Sequence, residues 1–209
     1  ERAGVSVLSY ENKKLSSEQI LIVGPGGRQQ LSSNSTALGK WIKAGGRLLA
    51  IGLDQEDVDA ILPFKVNMKK EEHISAWFEA MSTSSPFAGI GPSDVHNRAP
   101  KEVSLVSSGA GIVGNGVLAK TDQANVVFCQ LVPWQNDYSR EQHNIKQTYR
   151  RSSFLLSRLM GNMGVESSTA LLDRFNQPVD SGKAEKRWLD GLYLDQPEEW
   201  DDPYRFFRW

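Results

Sequence analysis

The chain has 209 residues, of which 39% are hydrophobic and 23% charged, with a formal net charge of −1. A chain of this size buries roughly 70% of the surface it exposes when unfolded, so it can fold as one domain without disulfide or metal staples. The near-zero charge gives no electrostatic reason to expect nucleic acid or an anionic membrane as partner, and no apolar run reaches the roughly 18 residues of a spanning helix. Cys129 is the single cysteine, which excludes an internal disulfide and any zinc site built on several thiolates. No cofactor or metal is expected. The chain opens on Glu1, and ERAGVSVLSY reads as the end of a helix running into a strand. The sequence is therefore expected to be part of a larger protein, and the missing signal peptide says nothing of where that protein resides.

Val5–Leu8 reads as a short strand. Ile20–Val23 is a compact apolar run of the kind buried on both faces of a parallel sheet, and Gly24-Pro25-Gly26-Gly27 turns the chain after it. Ser33 or Asn34 caps a predicted helix running to about Ala44, with Leu38, Trp41 and Ile42 on one face and Gly45-Gly46 as its stop. Arg47–Ile51 is the next buried strand, and the strand–helix–strand order predicts a right-handed parallel crossover. A short helix over Gln55–Leu62 ends at Pro63. Between Phe64 and Pro100 the legible features are a strand at Lys65–Met68 and the turn-rich SSPFAGIGPSDVHNRAP. Val103–Val106, Gly116–Lys120 and Asn125–Gln130 read as strands, the last two as an antiparallel hairpin closed by Thr121-Asp122-Gln123-Ala124.

The longest helical pattern runs from Ser139 to about Met163. Ile145, Tyr149, Leu156, Leu159, Met160 and Met163 recur at helical spacing, and Gly164 stops it. Beyond Asp180-Ser181-Gly182 the composition changes, and Lys186–Trp209 holds seven of the nineteen aromatic residues. The expected architecture is α/β in three layers. A mostly parallel sheet carries helices on both faces and an antiparallel hairpin, with an α/β domain over 1–180 and an aromatic extension over 181–209.

Two groups of segments go beyond this pattern. LIVGPGG followed by GGRLLAIGLDQED resembles the core of class I glutamine amidotransferase-like domains. In that family a glycine loop helps form an oxyanion site and the next strand ends in a nucleophile elbow. NVVFCQLVPWQNDY, YRRSSFLLSRLMGNMGV and GLYLDQPEEWDDPYRFFRW resemble accessory domains of large bacterial glycoside hydrolases, including the trimerisation-type domain of β-galactosidases and related family 2 enzymes. The resemblance covers about Val5–Val165 and implies a flavodoxin-like α/β/α fold whose first strand and helix lie upstream of Glu1. It implies an exported parent enzyme, periplasmic or extracellular. The implied partners are neighbouring domains of that parent, further copies of the chain, and carbohydrate.

The family's catalytic positions can be followed residue by residue. Its elbow, Gly-Ile-Cys-Leu-Gly, falls on Ala50-Ile51-Gly52-Leu53-Asp54, so the cysteine position is Gly52. Its later motif, Phe-His-Pro-Glu, falls on Leu131-Val132-Pro133-Trp134, so the histidine position is Val132 and the glutamate position is Trp134. An activated thiol needs a thiolate with a base in hydrogen-bond reach. The resemblance therefore implies a domain without glutaminase chemistry, itself not an enzyme although the parent is a glycoside hydrolase.

The remaining candidates each carry two readings. Gly24-Pro25-Gly26-Gly27 would present backbone N–H groups to an anion, or is a plain turn without dinucleotide or P-loop spacing. Cys129 with His143 as base would be a nucleophile, but within an apolar strand it reads as a small buried hydrophobe. Asp94, His96 and Arg98 alternate, so on an extended chain they would share a face and bind a sugar or carboxylate, or do acid–base work. The other reading is a loop pinned by its own polar bonds. Glu198, Glu199, Asp201 and Asp202 are sequence neighbours, whereas retaining glycosidases hold two carboxyls about 5 Å apart across a cleft. His73, His96 and His143 form no i,i+4 pair for a metal.

Arg140, Lys146, Arg150, Arg151 and Arg158 read as a solvated basic flank on the long helix. Trp134 and the tail aromatics Trp188, Tyr193, Trp200, Tyr204, Phe206, Phe207 and Trp209 would stack on sugar rings, or bury against their own domain or a neighbour. The leading expectation is a non-catalytic accessory or assembly domain. A carbohydrate-binding module using Trp134 comes second, and a hydrolase centred on Asp94, His96 and Arg98 third.

Overall fold

The computed structural model describes residues 7–11, 14–98, 101–122, 125–136 and 143–165. Its centre is β2 (Arg47–Ile51), which pairs in parallel with β1 (Ile20–Val23) on one side and β7 (Val126–Cys129) on the other. Leu48 to Ile51 and Val126 to Cys129 are all buried. Strands covered on both faces have no solvent side on which to place polar residues, which is why both read as unbroken apolar runs. Beyond β7 the pairing turns antiparallel, through β6 (Leu118–Lys120) to β5 (Gly111–Val113). The order is β1-β2-β7-β6-β5, so the sheet is mixed, with its parallel half at β1-β2-β7. The expected β6–β7 hairpin is present; β5, a three-residue strand after Gly109, had no apolar run to announce it.

The β1–β2 connection holds α1 (Arg28–Leu31), a 3-10 turn at Ser32–Asn34 and α2 (Ser35–Lys43). Gly45, at φ 96°, ends α2, and the Gly46 N–H reaches back to the Trp41 carbonyl at 2.9 Å. The chain then enters β2. After β2, Asp54 caps α3 (Gln55–Ile61) by accepting the Asp57 N–H at 2.9 Å. The helix stops at Leu62, which is extended because Pro63 follows it.

Helices cover both faces of the sheet. Leu48, Ala50, Val126 and Phe128 pack with Leu38 and Ile42 of α2 and Val58 and Ile61 of α3. Leu49, Ile51, Val127 and Cys129 point the other way, into a core with Leu155, Leu156, Leu159 and Met163. The first three of these belong to α4 (His143–Asn162). The alternation of in-strand residues between the two cores is the period-two geometry of a strand.

β3 (Asn67–His73) and β4 (Lys101–Ser108) form a separate antiparallel ribbon. β3 begins two residues after the predicted Lys65–Met68 and continues through exposed Lys69, Lys70, Glu71 and Glu72. Cross-strand pairing, and not an apolar face, carries it there. The predicted Val5–Leu8 strand is absent over its described part, where Val7 and Leu8 are irregular and exposed. The first turn of the helix predicted from Ser139, Arg140, the side chains of His143, Lys146 and Arg150, and the whole aromatic extension with Glu198, Glu199, Asp201 and Asp202 lie outside the described residues.

Candidate functional site

Open α/β sheets present ligands at the carboxyl ends of their parallel strands. Here three segments meet at that edge: the turn after β1, Gly52–Asp54 after β2, and Leu131–Gln135 after β7. Gly52 has φ 59°, in the left-handed region where a side chain is strained, and its N–H donates to the Cys129 carbonyl at 2.8 Å. A Cβ added to Gly52 would overlap Val132 Cγ2 and sit 3.3 Å from Pro25 Cγ. A Cβ on Gly24 would lie 3.2 Å from Trp134 Cζ2. Gly52, Val132 and Trp134, the three positions singled out in the sequence, are thus gathered around Gly24 and Pro25. The shared space is filled by hydrocarbon and indole. Val132 is buried, and Trp134, in a 3-10 turn at Pro133–Gln135, is 57% exposed.

The turn after β1 has an anion of its own. The Asp57 carboxylate accepts the Gly26 N–H at 2.9 Å through one oxygen and the Arg28 N–H at 3.1 Å through the other. Asp57 is 2% exposed, so these donors are committed to an internal partner. The Arg28 guanidinium pairs with Glu56, one residue away on α3. Of the two readings of Gly24–Gly27, this geometry favours the turn, held by an internal carboxylate. Nothing in QEDVDAI marks Asp57 as buried; it looks like any acid in a helix's first turn.

Cys129 is fully buried, and burial pushes its thiol up to about 12. Its only described polar contact is donation to the Leu131 carbonyl at 3.6 Å. A thiol protonated at every physiological pH is not a nucleophile.

Asp94, His96 and Arg98 do not share the extended face expected of them, because Asp94 lies in a 3-10 turn at Pro92–Val95. Its carboxylate accepts the Gly91 N–H at 2.8 Å. His96 Nδ1 lies 3.0 Å from Arg151 Nη1, and the Arg98 N–H donates to Thr148 Oγ1 at 3.0 Å. The arrangement fastens the segment to α4. Burial, then the nearby Arg151, Arg98 and His73, lower the His96 pKa.

The expectation of a solvated basic flank on α4 is corrected for two of its members. Arg151 is 8% and Arg158 6% exposed, beneath the long connection between β3 and β4. Arg158 lies 5.1 Å from the Phe154 ring centroid and against Gly89, which has no side chain to block it. A helix carrying a loop on a second face buries more than one stripe, which the period alone does not reveal.

A groove of about 450 Å³ is lined by Ser9, Tyr10, Gln29, Gln30 and Ser33, and so begins one residue beyond Arg28. Among the described residues no cluster of three His, Cys, Asp or Glu side chains is placed to hold a metal, and no helix is long and apolar enough to cross a membrane. No family model, curated protein or solved structure matches the chain.

Proposed function

We propose that this chain is a non-catalytic accessory or assembly domain of a larger glycoside hydrolase of the β-galactosidase kind. Its fold, in this reading, is a three-layer, flavodoxin-like relative of class I glutamine amidotransferases. One observation carries the non-catalytic part. Val132 packs where a side chain on Gly52 would have to stand, so a thiol at that position has no room, and the valine itself supplies no base. The commitment of the glycine-loop donors to Asp57 supports the same reading, because it removes an oxyanion site for a substrate. The helices on both sheet faces support the layered fold. The glycosidase parentage rests on the likeness of NVVFCQLVPWQNDY and YRRSSFLLSRLMGNMGV to accessory domains of such enzymes. The partners are then neighbouring domains or further copies of the chain, and the parent is exported.

The purified chain, incubated with glutamine and with aryl-β-galactosides, is expected to give no turnover above buffer. Enzyme-like hydrolysis of either would end this reading. Light scattering of the chain over a range of concentrations reports whether it assembles by itself or needs its neighbours.

A second reading is favoured by the exposure of Trp134 on a turn at the strand ends. An indole in that position is a platform for a sugar ring. Saturable quenching of tryptophan fluorescence by a galactoside, lost in Trp134→Ala, is its signature.

A further inference from the structure

Away from the strand ends, two histidines join β3, the segment before β4 and α4. His73, the last residue of β3, has Nε2 2.7 Å from the Val95 carbonyl, so that nitrogen carries the hydrogen. At His96, the residue after Val95, the polarity is reversed. A guanidinium only donates, so His96 Nδ1, 3.0 Å from Arg151 Nη1, must accept, and the His96 ring is neutral. Two further bonds hold the same segment: the Asn97 N–H to the Ile74 carbonyl at 2.7 Å and the Arg98 N–H to Thr148 Oγ1. Of these bonds only the one at His96 is destroyed by adding a proton. Among the described residues, the charged and titratable groups that act on His96 are Arg151 from α4, Arg98 from its own segment and His73 from β3. One oxygen of the Asp94 carboxylate accepts the Gly91 N–H.

We propose that the His96–Arg151 hydrogen bond is an acid-released latch holding segment 91–98 against α4. Protonation of Nδ1 removes the lone pair that Arg151 uses and sets an imidazolium against a guanidinium. His96 is only partly buried, so its ring can swing toward water when it gains the proton. Burial and the two arginines hold its pKa below the ordinary histidine value, which keeps the latch shut at neutral pH. The latch does not depend on the parentage proposed above, and its failure would leave that reading standing.

The test is hydrogen exchange by mass spectrometry on the full 209-residue chain at about pH 7.5 and about pH 5, corrected for intrinsic rates. Peptides spanning 91–98 are expected to lose roughly tenfold in protection on acidification, while peptides in β2 and β7 keep theirs. His96→Asn places an amide oxygen where Nδ1 stood, able to accept from Arg151 without titrating, and is expected to abolish the loss. An equal loss in His96→Asn, or none in the wild type, overturns the latch. A ring titration of wild-type His96 by NMR is independent of any variant. A midpoint at or above the ordinary value of 6.5 overturns the proposal, and a midpoint below it that coincides with the loss of protection supports it.

Discussion

The carboxylate of Asp57, on α3, accepts the backbone N–H of Gly26, in the turn after β1, at 2.9 Å while almost wholly buried. Its second oxygen takes the Arg28 N–H, and its own N–H is taken by the cap residue Asp54. One side chain therefore ties the first crossover to the second. Asp57→Ala leaves two N–H groups without their acceptor and is expected to cost about 2–4 kcal/mol in urea unfolding, with Asp57→Asn costing less because one acceptor oxygen remains. A loss under about 0.5 kcal/mol for the alanine variant would mean that the turn does not rely on the carboxylate.

Gly52 and Val132 make a second, opposite kind of dependence. Gly52→Cys puts a side chain at φ 59° and drives it into Val132. The backbone strain is about 1–2 kcal/mol and the overpacking about 1–3 kcal/mol, so the variant is expected to unfold at visibly lower urea without gaining glutaminase activity. Adding Val132→Ala relieves the overlap, and a double-mutant cycle on the two positions should give a clearly non-zero coupling energy. Strict additivity would show that the two side chains do not meet.

The histidines set the pH dependence of stability. His73 is lowered by burial, which outweighs its bond to Val95, and His96 by burial and then by Arg151, Arg98 and His73. Both bind protons less readily in the folded chain than at the unfolded value of 6.5. Their contribution is thus fully present above that value, is lost as pH falls from it, and levels off below the folded values. Urea midpoints measured downward through this window should fall. Midpoints that rise there would contradict the sign.

Trp134 is more than half exposed, and its ring rests on Gly24. Trp134→Ala is expected to change stability by less than about 1 kcal/mol, as partly exposed sites do. A larger loss, read by calorimetry, would make Trp134 a structural wedge and weaken the case for a sugar platform.

The buried half of this fold was legible because its inner strands β2 and β7 are covered on both faces. β1, at the sheet edge, departs from the expectation of a strand buried on both faces, since Leu21 and Val23 are buried but Ile22 is 40% exposed. ILIV, RLLAI and VVFC stand out as apolar runs, and Gly45-Gly46 and Pro63 punctuate the helices between and after them. The remainder was not legible, for physical reasons. β3 runs through Lys69–Glu72 on pairing with β4 alone, and β5 has three residues. Asp57, Arg151 and Arg158 are charged residues whose burial depends on segments distant in sequence, so no local pattern marks them. At the candidate site the residue types at Gly52, Val132 and Trp134 could be read directly, whereas their packing around Pro25 and the capture of the loop by Asp57 needed the fold.

The proposed non-catalytic role requires that Cys129, beside the strand ends, is not an activated nucleophile. A diazoketone analogue of glutamine alkylates an activated thiol, and Cys129 is the only thiol in the chain. Intact-mass measurement after incubation with the folded protein at neutral pH should show no adduct, with labelling by a small maleimide appearing only after unfolding in urea. A stoichiometric adduct on Cys129 in the folded chain would contradict the claim.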